Sequence, residues 1–255
     1  MARYSHTDWP ARLWIVRHGQ SAGNVARDIA EAGGHALIDI QVRDADTPLS
    51  DLGKQQSIAL AGWFAEHAKQ DRPDVFLTSP FRRSQQTLET IAAALAVGKV
   101  AIQYDERLRE KEFGILDRYT KHGIVERFAE LSEQRARVGK FYFRPPGGES
   151  WCDVILRLRS VVEELRRDYA GRRVLIVSHQ VVVNCFRYLL EKMDEQTILE
   201  TDRRGDVPNC GVTEFGFVDT PGGQRFELIR ANFVVPLTQA GAPVTKAPDR
   251  PAGPK

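Results

Sequence analysis

This sequence has very little cysteine: three in 255 residues, at positions 152, 185 and 210. An odd number so widely spaced excludes a disulfide framework and a metal knuckle, and leaves buried free thiols as the reading. Long apolar runs are missing too, and none approaches the length of a membrane span. Met1–Arg12 is polar and holds no apolar signal core, so the expected location is the cytoplasm. Charge is not one-sided: 36 Lys and Arg stand against 34 Asp and Glu, scattered among each other, for a formal net charge of +2. That balance argues against a nucleic-acid partner, as the missing span argues against a membrane. No internal repeat and no mid-chain linker divides the chain. What remains, with 42% hydrophobic and 27% charged residues, is an ordinary globular composition. From Pro236 onward Pro, Ala, Gly, Thr and Lys dominate. The expected division is one α/β domain over 1–235 and a disordered tail over 236–255.

What the chain does have is apolar strands that end in chemically active residues. Leu13–Val16 reads as a short strand buried on both faces, and it runs straight into Arg17-His18-Gly19-Gln20-Ser21 and Asn24. In an open α/β sheet, ligands bind at the carboxyl ends of strands. Gly19 permits close backbone approach, Arg17 offers a planar donor fork, and His18 can be nucleophile, base or metal ligand. On these residues alone, a capped histidine at a strand end is an equal reading. Asp74–Thr78 is the second strand. Ser79 as N-cap and Pro80 as first helical residue then start a helix buried through Leu88, Ile91 and Leu95. Arg83 falls in its first turn, beside open backbone N–H groups. Arg173–Val177 is the most strongly marked buried strand, and beyond Ser178 it too meets a histidine, His179.

The connecting segments are less sharply marked. Val25–Gly34 reads as a short helix, and 35–47 as a long excursion near the site. Ser50 caps a helix with Ile58, Ala61, Phe64, Ala65 and Ala68 on its buried face and Gly53 packed closely in its first turn. Val100–Tyr104 reads as an edge-like strand, and Thr120–Val138 as helical, with Val125, Phe128 and Leu131 inward. Ser150 and Asp153 form a capping pair for a helix running through Leu165. Val181–Lys192 is helical, and Phe215–Val218 and Phe226–Ile229 pair as a hairpin.

In order, Arg17-His18-Gly19 with Asn24, Ser79-Pro80-x-x-Arg83-x-x-x-Thr87, Leu108-x-Glu110-x-x-Phe113-Gly114, Gly147-Gly148-Glu149-Ser150 and His179 resemble the signatures of the histidine phosphatase superfamily. That superfamily includes the cofactor-dependent phosphoglycerate mutases, and the resemblance covers 12–213. Alternation of strands and helices implies a three-layer α/β sandwich, a mostly parallel sheet with helices on both faces. The resemblance adds a helical insertion, 120–138, over the site. It makes His18 and Glu110 the catalytic residues, and Arg17, Asn24, Arg83 and His179 the phosphate-binding ones. Glu149 orients site groups, and no metal or other cofactor is implied. The family register selects Arg83 over Arg82 and Glu110 over Glu112.

Two departures shape the expected function. Gln180 stands where many members carry Gly, and where the acid-phosphatase branch takes its catalytic Asp; the chain therefore resembles the mutase-related branch. Yet the Phe-Thr-Gly-Trp segment of the mutases is missing from 25–46, which favours hydrolysis. The expectation is a metal-independent phosphomonoester hydrolase working through a phosphohistidine on small phosphorylated metabolites. The alternatives are a cofactor-dependent phosphoglycerate mutase and a catalytically silent phosphate-binding module. The expected partner is a small-molecule phosphomonoester, with a homo-oligomer left open. Arg109, Lys111 and Arg144 are candidate contacts for extra negative charge on the substrate, or else solvated surface cations.

Overall fold

The computed structural model describes residues 8–67, 69–95 and 101–246. Along the chain come β1 (Arg12–Arg17), α1 (Ala22–Ala32), α2 (Asp51–Glu66), β2 (Val75–Thr78), α3 (Arg82–Ala94) and β3 (Ile102–Tyr104). They continue with α4 (Lys121–Arg127), α5 (Ala129–Val138), α6 (Trp151–Asp168), β4 (Arg173–Ser178), α7 (Gln180–Leu190) and α8 (Glu195–Arg204). The hairpin β5 (Val212–Thr220) and β6 (Gly223–Phe233) and the short α9 (Val235–Gln239) complete the fold.

The six strands form one sheet in the order β3-β2-β4-β1-β5-β6. β3, β2, β4 and β1 are parallel, and β5 joins β1 antiparallel with β6 outside it. Successive strand residues point to opposite faces. Leu13, Ile15, Val174 and Ile176 therefore meet α6 and α7, while Trp14, Val16, Leu175 and Val177 meet α2 and α3. Both faces are covered, which is why these strands carry unbroken apolar runs. The result is the expected three-layer sandwich. Because β1, β2 and β4 are parallel, their carboxyl ends share one edge of the sheet, and His18, Ser79 and His179 follow them there. Among the described residues, no helix is long and apolar enough to cross a membrane.

Several elements differ from the sequence expectation. α1 begins at Ala22, not Val25, because Ser21 and Asn24 close a capping box on each other's backbone amides. α2 turns Ile58 outward, at 63% exposure, and buries Gln56 and Ser57 instead. Those polar residues serve neighbouring backbone: Gln56 accepts from the Gln20 amide at 2.9 Å. Ala68, expected on the same face, and Val100, expected in β3, lie outside the described residues. α3 starts at Arg82 with Phe81 at its cap position, two residues later than Ser79 would place it. The 120–138 segment is two helices broken at Phe128, with Ile124 buried and Val125 exposed.

The tail expectation is corrected over 236–246. α9 seats Leu237 in the core beneath α2, and Gln56 donates to the Pro243 carbonyl at 2.8 Å and to Thr245 Oγ1 at 2.9 Å. A Pro- and Ala-rich composition does not prevent folding where Leu237, Ala242 and Val244 find apolar neighbours. Residues 247–255 lie outside the described residues.

Candidate active site

Arg17, His18, Asn24, Arg83, Glu110 and His179 are all buried, none more than 3% exposed. Ionisable groups are seldom buried so completely without partners or a function. His18 leaves β1 with its amide donating to the Ser178 carbonyl at 3.0 Å. Its Nδ1 lies 2.6 Å from the Gly19 carbonyl oxygen. A carbonyl only accepts, so Nδ1 carries the proton and a neutral ring keeps its lone pair on Nε2. Into that lone pair Arg83 Nε donates at 3.2 Å.

The turn that holds His18 depends on close backbone packing. A Cβ on Gly53 would stand 1.9 Å from the Gln20 carbonyl oxygen, and one on Gly19 would stand 2.5 Å from the Gly53 oxygen. Only glycine permits the first turn of α2 to lie against 19–20. The Gly19 amide donates to Thr87 Oγ1 at 3.1 Å, and Thr87 donates to the Arg83 carbonyl at 2.9 Å. The His18 turn and α3 are thereby tied together.

Arg83, the second residue of α3, lies over the Phe81 ring at 5.0 Å, and Arg82 faces solvent as the register required. Asp44 holds the far side of its guanidinium. His179 caps α7, and its Nε2 is hydrogen-bonded to Ser79 Oγ at 2.8 Å. The same Ser79 hydroxyl accepts the Phe81 amide at 3.2 Å, just ahead of the first turn of α3. The His18 and His179 rings are 5.1 Å apart, edge to face. Arg17 Nη1 donates to the Val207 carbonyl at 2.5 Å. Asn209 Nδ2 reaches the His18 carbonyl at 3.1 Å and Asn24 Oδ1 at 3.5 Å.

Glu110 comes to the same edge on a loop fastened from two sides. Ser178, at the end of β4, donates to the Leu108 carbonyl at 2.6 Å. Arg157 of α6 donates to the carbonyls of Arg109 at 2.8 Å and Glu110 at 3.3 Å. Glu149 accepts from Arg157 Nε at 2.9 Å, from Arg109 at 2.8 Å and from the Glu112 amide at 3.0 Å. Glu110 Oε1 itself accepts the Lys111 amide at 2.7 Å.

Beside these groups opens a cleft of about 540 Å³, counted to its open mouth, with Ser21, Asn24, Asp44, Arg83, Phe113 and Asp117 among its walls. The 35–47 excursion borders it, as expected, and so does the 113–118 segment that leads into α4. Arg109 and Arg144 are engaged by Glu149 and Asp153, and Lys111 lies over the Phe113 ring, so none stands as an uncommitted cation. Gln180 is buried and turned toward Asp206.

Burial pushes the thiols of Cys152 and Cys185 up, and that of Cys210 up to about 12, so none is a thiolate at neutral pH. Among the described residues, no group of three or more His, Cys, Asp or Glu is placed to hold a metal ion. Sequence reasoning missed Asp44, Asn209 and Arg157. Asp44 carries no local signal, Asn209 lies within 12–213 but outside the motifs that carry the resemblance, and Arg157 looks like one more charge on a helix face.

The family model described as histidine phosphatase superfamily (branch 1) matches residues 13–232. A phosphoglycerate mutase-like protein of Arabidopsis thaliana is 30% identical over 220 residues, covering 79% of this chain and 72% of that one. The fructose-2,6-bisphosphatase of Saccharomyces cerevisiae is 31% identical over 189 residues, 74% of this chain but only 36% of the yeast protein. Among solved structures, a mycobacterial glucosyl-3-phosphoglycerate phosphatase with VO3 superposes with a TM-score of 0.62 at 24% identity, covering 86% of this chain and 98% of that one. This last likeness speaks for the fold.

Proposed function

The chain belongs to the histidine phosphatase superfamily (branch 1), and from that premise we propose that it hydrolyses small phosphomonoesters through a phosphohistidine on His18, without a metal ion. The observation that carries this reading is the buried His18 ring, its Nδ1 held by the Gly19 carbonyl and its Nε2 facing the buried guanidinium of Arg83. A phosphoryl group on Nε2 would displace the Arg83 Nε hydrogen bond and have Arg17, Arg83 and His179 around it as donors, with Asn24 at the edge of the same pocket. His18 Nε2 attacks phosphorus as the ester P–O bond breaks. Glu110, in its acid form, gives its proton to the departing oxygen, and the alcohol leaves. Water then attacks phosphorus, Glu110 takes up the water's proton, and the P–N bond breaks to return the lone pair to Nε2. The Glu149–Arg157 bracket keeps the Glu110 loop in place.

Isomerisation is the second reading, favoured by the mutase-like relative. Against it stands the 25–46 segment, which lacks the mutase Phe-Thr-Gly-Trp sequence. One experiment decides among these. With p-nitrophenyl phosphate and a panel of alkyl esters, quenching at alkaline pH should trap an acid-labile phosphoryl group on His18, and turnover should survive EDTA. His18→Ala should abolish both. Glu110→Gln should slow alkyl esters more than aryl ones, by about two orders of magnitude, because aryl leaving groups need less protonation. Turnover retained by His18→Ala, or lost to EDTA and restored by a metal, would falsify the mechanism. Rapid interconversion of 2- and 3-phosphoglycerate with a bisphosphorylated primer would select the mutase instead.

A further inference from the structure

Asp44 sits on a single 3-10 turn, Asp44–Asp46, near the end of the excursion that borders the cleft. Its carboxylate holds Arg83 end-on: Nη1 donates to Oδ1 at 3.0 Å and Nη2 to Oδ2 at 3.1 Å. Nη1 also donates to the Asp44 carbonyl at 2.7 Å. Through Nε, another edge of the same guanidinium faces His18 Nε2 at 3.2 Å. A guanidinium holds its five donors in one plane, so an edge taken by one carboxylate is not offered to a second anion. The Arg83 side chain is 4% exposed and that of Asp44 47%, so the acid stands on the cleft side of the pair.

Resting on the phosphatase reading above, we propose that Asp44 is a specificity-determining residue. By closing the outer edge of Arg83, it admits one phosphoryl group on an otherwise uncharged alcohol and disfavours esters with a second anion beside the reacting one.

The acids in the cleft wall and on the adjoining 112–113 loop agree. Arg27 and Arg118 also line the cleft, but they already lie in the field of the chain's own acids, Arg27 acting on Asp28 and Asp117 and Arg118 on Asp117. Asp117 is pushed up, first by burial and then by the charge of Asp44. Glu112 is pushed up by burial too, despite the charge of Arg109, and it feels both Asp44 and Asp117. A further anion would enter a space where carboxylates already oppose one another's ionisation. Ile38, Ile40 and Phe113 offer apolar surface to a carbon skeleton instead.

Glycerol 3-phosphate and 3-phosphoglycerate differ by a hydroxymethyl group against a carboxylate. Their dissociation constants can be measured by calorimetry on a His18→Ala background, which prevents turnover, with Asp44 present and with Asp44→Asn. Asp44→Ser serves as a second variant should the first fail to fold. With Asp44 present, the carboxylate ester should bind at least about tenfold more weakly, and its removal should narrow that gap at least about fivefold. An unchanged gap overturns the proposal, as does a wild-type preference for 3-phosphoglycerate or failure of both esters to bind. The phosphatase reading fails separately: the His18-bearing protein would bind these esters and release no phosphate from them or from p-nitrophenyl phosphate.

Discussion

A carboxylate in a desolvated loop costs free energy unless cations and amides reach it. At Glu149, burial alone would push the carboxyl up, but the hydrogen bond and charge of Arg157, the Glu112 amide and Arg109 outweigh it and hold the group below its usual range. A folded-state value depressed in this way stabilises the protein fully above the ordinary value of 4.5, and that contribution disappears as pH falls through the depressed one. Glu149→Gln should therefore cost about 1–3 kcal/mol near neutral pH. Its denaturant midpoint should converge with wild type as pH is lowered through the acid range. A gap that stays constant with pH would remove ionic pairing as the source. The same variant should lower kcat, because the bracket it loosens carries the loop of Glu110.

At the scale of elements, the contact between α2 and the turn after β1 is the tightest constraint on His18. Gly53→Ala forces a methyl against the Gln20 carbonyl, where no flexible side chain can yield. We expect a loss of about 1–3 kcal/mol and a fall in kcat as the turn shifts. Gly62→Ala, one helix position with nothing within 4 Å of an added Cβ, should instead stabilise by about 0.5–1 kcal/mol. If thermal melts and turnover placed the two variants together, the close approach would not be what positions the turn. Gly53 was readable from its place in a first turn, and so were β1, β2 and β4. Strands covered on both faces must be apolar throughout. The α3 start differs from the Ser-Pro signal because regular helix begins only at Arg82, although Ser79 still holds the Phe81 amide. Ile58 was misplaced because α2 spends its buried face on Gln56, whose partners Gln20, Pro243 and Thr245 are distant in sequence, and on Ser57, which bonds back to the Gly53 carbonyl. Asp44 could not be found at all, since an acid on a solvated excursion looks the same whether or not a buried guanidinium waits behind it.

Across the whole molecule, distant segments converge on β1. It pairs with β4 on one side and β5 on the other, and the Cys210 amide donates to the Arg17 carbonyl at 3.0 Å. Thr245 extends that convergence, donating to Asn209 Oδ1 at 2.9 Å while Asn209 holds the His18 carbonyl. Removing everything after Val234 should cost roughly 3 kcal/mol from the lost burial of Leu237 and its neighbours. It should also reduce kcat, because Asn209 loses its Thr245 partner. Unchanged unfolding midpoint and turnover would show that α9 and 240–246 are only an appendage. This arrangement also gives the site a place in time. His18 precedes Asn209, which holds its carbonyl, by 191 residues, and the β4 and β5 strands beside it also lie far along the chain. The His18 turn therefore takes its final shape only once those later segments have folded against β1, a late event set by long loop closures rather than by local structure.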